Sequence, residues 1–224
     1  MAGGWGPCRF GYYAQVQKEI LRDLGYDFKM IIFEPPQGQL NKLINEIKTI
    51  TTNCSSFKVL QAIHTVWRKV KALDKLHARS LQIRPRELEC GATTAAYQQS
   101  LALISEAHTP QAVTVQLKKG MQLLNSVACD WQKKVLRIGL VGEIYMLLEP
   151  YANLQLERTL GEMGVEVERS VYLSDWIKEH LILNTLHFPG GLKTKRAAAP
   201  YLNHFVGGHG WESVGDTVRY ARRG

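Results

Sequence analysis

Apolar positions recur three and four residues apart over most of the first 130 residues, and strand-like runs appear near residues 28, 135 and 165. Tyr13, Val16, Ile20, Leu21 and Leu24 share one face of a predicted helix, and Gly25 supplies its C-terminal stop. The run Phe28-Lys29-Met30-Ile31-Ile32-Phe33, closed by Glu34-Pro35-Pro36, has the β-branched and aromatic content of a buried strand. The opening therefore reads as loop, helix and strand, a βαβ unit without its first strand. Residues 39–130 read as wholly helical. Leu40, Leu43, Ile44 and Ile47 mark one helix. Ser55 or Ser56 caps a longer one carrying Leu60, Ile63, Trp67, Val70, Leu73 and Leu76, which Pro85 ends. Residues 94–107 and 110–127 predict an antiparallel pair.

At Val135 the period changes. Val135-Leu136-Arg137-Ile138-Gly139-Leu140-Val141 is a strand ending in Gly142-Glu143, and Leu154, Leu156, Leu160 and Met163 place a helix before Gly164. Val165-Glu166-Val167 then predicts a second strand, so the segment reads as a right-handed βαβ unit of a parallel sheet. Ser174 caps a further helix through Leu186, Ala197 begins another, and Ser213 to Arg223 forms the last. The expected class is α/β: incomplete doubly wound parallel-sheet segments with a helical middle region. Residues 1–132 are expected to hold the end of a first α/β domain plus a helical subdomain, and 133–224 the start of a second α/β domain. Strands of both sheets are expected beyond Met1 and Gly224.

Composition changes this picture little. Hydrophobic residues are 45% and charged residues 21% of the 224, ordinary for a globular chain. No apolar run reaches the roughly 18 residues that span a bilayer, and the first residues lack the charge and apolar core of a signal peptide. A cytoplasmic protein with no membrane partner is the expectation. The net charge of +8 is concentrated: residues 58–89 hold eight Lys/Arg against three acidic residues, and 190–224 hold six against two. Such faces attract phosphate-bearing cofactors or acidic partners, or are simply solvated. Aromatic residues are not interleaved with the basic ones as stacking platforms, so nucleic acid is not expected as a partner.

The four cysteines, Cys8, Cys54, Cys90 and Cys129, form no Cys-x-x-Cys pair. Cys8 follows a glycine-rich loop and opens a helix beside Arg9, where helix dipole and cation favour the thiolate and so a metal ligand, against an incidental thiol. Cys54, Cys90 and Cys129 read as ordinary small residues. Gly142 and Glu143 stand at the carboxyl end of a parallel strand, where open α/β sheets bind ligands. Glu143 or Glu149 either contacts a substrate or acts as acid/base, or is a helix N-terminal carboxylate held by the dipole. Gly207-Gly208-His209-Gly210-Trp211-Glu212-Ser213 offers an anion-ready nest, with His209 and Glu212 as ligand or proton donor, or is a capped turn with Ser213 as cap. His64, His77, His108, His180 and His187 have no partner spacing and read as structural or solvent-facing.

Three segments carry a resemblance. Gly-Gly-Trp-Gly-Pro-Cys-Arg-Phe-Gly-Tyr-Tyr (3–13), Val-Gly-Glu-Ile-Tyr-Met-Leu-Leu-Glu-Pro (141–150) with Glu-Arg-Ser-Val-Tyr-Leu-Ser-Asp-Trp (168–176), and Val-Gly-Gly-His-Gly-Trp-Glu-Ser-Val-Gly (206–215) resemble the acyl-CoA dehydratase activase-related proteins. These belong with the 2-hydroxyglutaryl-CoA dehydratase and benzoyl-CoA reductase iron–sulfur superfamily. The resemblance implies doubly wound domains holding a [4Fe–4S] cluster on cysteines from separate loops, with Cys8 as one ligand. Further family cysteines would fall before Met1 and after Gly224, so the chain reads as a fragment. It also implies ATP-driven, low-potential electron transfer to CoA-thioester chemistry, with an ATP-dependent activase, dehydratase subunits and a CoA thioester as partners. A non-catalytic α/β binding or scaffold module without a cluster is the alternative.

Overall fold

The computed structural model describes residues 10–30, 32, 45, 48, 55–179, 191–204, 206 and 210–223. The chain divides into two units, residues 1–59 with 176–224, and residues 60–175. The boundary expected at 132/133 falls inside the second of these.

In the first unit, α1 spans Phe10–Asp23 and ends as its sequence predicts, with Gly25 at φ 83°. Phe28, Lys29, Met30 and Ile32 of the predicted strand are not in a strand. Later in this unit come α8 (Leu192–Ala198) and α9 (Gly210–Ala221). Both start earlier than the pattern predicts: Ala197 and Ala198 end α8 rather than begin it, and Ser213 lies inside α9. The two helices pack closely where Gly215 faces Thr194; a Cβ on Gly215 would stand 2.1 Å from the Thr194 carbonyl oxygen.

The second unit begins with most of α2 (Ser56–Ile83), a helix whose first turn is capped by the Ser55 hydroxyl accepting from the Lys58 amide at 3.4 Å. Pro85, which has no amide proton to continue the ladder, turns it into the 3-10 corner Arg84–Arg86. Then follow α3 (Ala92–Ser105) and α4 (Pro110–Asn125), the latter capped by Thr109. Leu76, Ile83, Ile104, Val113 and Leu124 from α2, α3 and α4 form the buried core, each side chain worth about 1.5–3 kcal/mol of burial.

A small parallel sheet completes this unit. β1 (Leu136–Leu140) pairs with β2 (Val165–Arg169) in the register Leu136 to Val165 through Leu140 to Arg169. The chain crosses between them through α5 (Ile144–Leu148) and α6 (Leu156–Glu162), and α7 (Leu173–Ile177) follows. The βαβ unit expected from residue 135 onward is present, except that the crossover holds two short helices, not one. The fold is thus helix-rich and mixed α/β, with a two-stranded parallel sheet among the described residues. An ion pair joins this sheet to the 3-10 corner, where Arg86 meets Glu166 at 2.6 Å, and just before β1 Lys133 Nζ donates to the Pro85 carbonyl at 3.0 Å.

Between α5 and α6, Leu154 and Gln155 both hold φ 55°, the left-handed region that disfavours a side chain. Leu154 is 85% exposed, so its side chain contributes little packing in return. Leu154→Gly is therefore expected to stabilise the protein by about 1 kcal/mol, read as a melting midpoint raised by about 2–4 °C. A lowered midpoint would show that the left-handed pair is not strained.

Candidate functional site

The second unit carries a cleft of about 330 Å³. Its walls come from three places. The C-terminal half of α2 and the 3-10 corner give His77 and Arg84. The first turns of α3 give Thr94, Tyr97 and Gln98, and the segment before and within α6 gives Asn153, Gln155, Glu157 and Arg158. Glu87 sets the start of α3 against the corner, its two carboxylate oxygens accepting from the Gly91 amide at 2.9 Å and the Thr93 amide at 2.7 Å.

Glu157 is the centre of a buried polar network. Arg169 grips its carboxylate with Nε at 2.7 Å and with a second guanidinium nitrogen. His77 Nε2 lies 3.0 Å from the same carboxylate, and His77 Nδ1 lies 3.3 Å from the Tyr97 hydroxyl. Burial alone would push the Glu157 carboxyl up. The hydrogen bonds from His77 and Arg169 outweigh it and hold that group at about 2. An ionised carboxylate only accepts, so His77 Nε2 carries a proton and, in the neutral imidazole, Nδ1 accepts from Tyr97. Burial pushes the Tyr97 phenol up, which keeps its proton in place. Arg169 also lies over the Tyr172 ring at 5.7 Å, and burial pushes that phenol up to about 12. The ionised Glu157 carboxylate fixes Arg169 and His77 Nε2 as its donors.

Arg84 is 6% exposed, yet its Nε has no hydrogen-bond partner and no ion pair includes its guanidinium among the described residues. Its stem lies against Gly161, where a Cβ would come within 2.8 Å of the Arg84 Cδ. Burial lowers its pKa, the nearby Glu87 and Glu162 opposing the shift, but a guanidinium remains charged. Thr94 Oγ1 is likewise buried and without a partner.

Comparison with models of known families, with curated proteins and with solved structures found no match.

Gly142, Glu143 and Glu212, the described residues among those singled out from sequence as site residues, do not line this cleft. Glu143 is the N-cap of α5, accepting from the Tyr145 amide at 2.9 Å and the Met146 amide at 3.2 Å. Gly142 has room for a side chain, since a Cβ there would make only ordinary contact with Leu147 at 3.8 Å. Glu212 sits in the first turn of α9. Cys8, Cys54 and His209 lie outside the described residues. Cys90 is exposed, and the half-buried Cys129 has its thiol pushed up by burial. No three His, Cys, Asp or Glu side chains gather as metal ligands among the described residues. They supply no ligand set for a cluster, and that expectation rests on Cys8. Among the described residues no helix is long and apolar enough to cross a membrane.

The cleft residues were missed in the sequence for a physical reason: His77 and Glu157 are eighty positions apart. One signal was available. Arg169 shares the strand face of Val165 and Val167, and an arginine at an inward position of an apolar alternation calls for a buried anion.

Proposed function

We propose that this chain is part of an iron–sulfur component resembling the 2-hydroxyacyl-CoA dehydratase and activase-related proteins. Its role would be ATP-driven, low-potential electron transfer to CoA-thioester chemistry. The three quoted segments, in order and spacing, are the observation that carries this reading. The parallel β1–β2 pair with its helical crossover supports it, because a doubly wound sheet is built from such units. Leu136, apolar on β1 yet 66% exposed, also fits a sheet that extends beyond these two strands. In this reading Cys8 is a cluster ligand, and an ATP-dependent activase, dehydratase subunits and a CoA thioester are the partners. Gly142, Glu143, His209 and Glu212 are proposed as cofactor-side residues, Glu143 acting through its hold on the start of α5.

The test is reconstitution of the protein, at its full natural length, with iron and sulfide under anoxic conditions. Retained iron that falls on Cys8→Ser is the expected result. Absence of bound iron, or equal iron in the variant, would sink the cluster reading. A second reading, an α/β binding module without a cluster, is favoured by the cleft and its unpaired Arg84.

A further inference from the structure

We propose that the cleft between α2, α3 and α6 is a binding site for the carboxylate of a small molecule, with the Arg84 guanidinium and the Thr94 hydroxyl as its donors. Nearly all buried polar groups in folded proteins are hydrogen-bonded, and a buried charge without a counter-ion is rarer still. Here two unpartnered groups, Arg84 Nε and Thr94 Oγ1, belong to residues that line one cavity. The acidic residues near Arg84 are already engaged. Glu87 accepts from the Gly91 and Thr93 amides, and Glu162 takes Arg158 at 2.7 Å. Glu157, across the cleft, is held by Arg169 and His77.

Charge then selects the ligand class. Glu157 with Arg169, and Glu162 with Arg158, are paired charges, and Glu87 is bonded to amides, which leaves the Arg84 guanidinium with no salt-bridge partner of its own among the described residues. One positive charge with a planar fork of donors matches a single carboxylate, whose two oxygens take parallel N–H bonds. A doubly charged phosphate would find too little positive charge. Gln98 and Gln155 offer amides to the rest of the molecule, and a cleft of about 330 Å³ lies within the range of small-molecule sites. With His77 as the neutral imidazole, the Tyr97 hydroxyl gives its proton to Nδ1 and presents an acceptor to a bound donor group.

The site depends on the cleft alone and is indifferent to a cluster. Iron content and carboxylate binding are separate measurements, so either can fail while the other stands. The test follows the Arg84 Nε–Hε signal by NMR in the ¹⁵N-labelled full chain while propionate, propionamide or inorganic phosphate is added. Propionate is expected to move that signal saturably, and propionamide, its neutral isostere, is not. Arg84→Gln is expected to weaken propionate binding about tenfold or more, and Thr94→Val by a smaller factor, with unchanged circular dichroism. Should Arg84→Gln fail to fold, the wild-type signal and Thr94→Val decide. A signal that does not move with propionate, or moves equally with propionamide, overturns the site. Tighter binding of phosphate than of propionate overturns the carboxylate assignment.

Discussion

Arg169→Met is expected to destabilise the unit formed by residues 60–175 by about 3–5 kcal/mol, because it leaves the Glu157 carboxylate buried with only His77 beside it. Both partners are almost sealed from water, with side chains 7% and 8% exposed, so solvent cannot replace the lost guanidinium. The same network has a pH signature. The Glu157 carboxyl falls from an ordinary 4.5 to about 2 in the folded state, so the folded protein holds fewer protons than the unfolded chain across that interval. Its contribution is therefore complete above 4.5, and it is lost as pH falls through that interval toward 2. Linkage puts that contribution at about 3 kcal/mol. Urea titrations from pH 6 down to pH 2.5 check both. Wild type is expected to lose stability across the interval, and Glu157→Gln, less stable at pH 6, is expected to lose much less. If Arg169→Met were as stable as wild type, or both proteins showed the same acid slope, the network would not carry the unit.

What could be read in the sequence follows from the range of the forces involved. α2, α3 and α4 are set by repeats of three and four apolar positions and by local punctuation: Ser55, Pro85, Thr109 and Pro110 act within a turn of themselves. Their bounds came out within about two residues. The β1–β2 pair was legible because alternating Val165, Glu166 and Val167 after Gly164 fits a pleated strand and little else. At Phe28, Lys29, Met30 and Ile32 the strand expectation failed by the same logic: a strand needs a partner as well as propensity, and these residues have none in a sheet. Apart from the inward-facing Arg169, the cleft was illegible because His77, Arg84, Tyr97 and Glu157 each look like surface residues one at a time. Their meaning comes from burial together, which the chain achieves by folding α2 against a crossover eighty residues later. Glu143 shows the opposite failure. It was conspicuous at the end of a predicted strand, and the structure gives it a local capping bond that any acidic N-cap would make.

Gly215→Ala is expected to separate α8 from α9 and to destabilise that pair by about 3 kcal/mol. The reason is a contact that no side-chain rotation relieves: a Cβ at 215 would sit 2.1 Å from the Thr194 carbonyl oxygen and 2.8 Å from its carbonyl carbon. Backbone must move to admit it, and α8 and α9 are held together at this point. Thr194 Oγ1 donates to Asp216 at 3.3 Å, and Arg219 donates to Thr194 Oγ1 at 3.1 Å and to Asp216 at 2.9 Å. Moving the helices apart by the missing radius of a methyl group would stretch the two bonds to Thr194 together and leave Asp216, a buried carboxylate, with less support. The segment 206–215 thus contains at least one glycine whose role is helix packing, whatever His209 and Glu212 do. Amide hydrogen exchange on the full chain separates the two units in one experiment. Amides of α8 and α9 are expected to lose protection in Gly215→Ala, while those of α3 and α4 keep theirs. Unchanged protection in α8 and α9 would mean that the helices absorb a methyl group at their closest approach, and Gly215 would then need another explanation, such as a ligand passing close to its backbone.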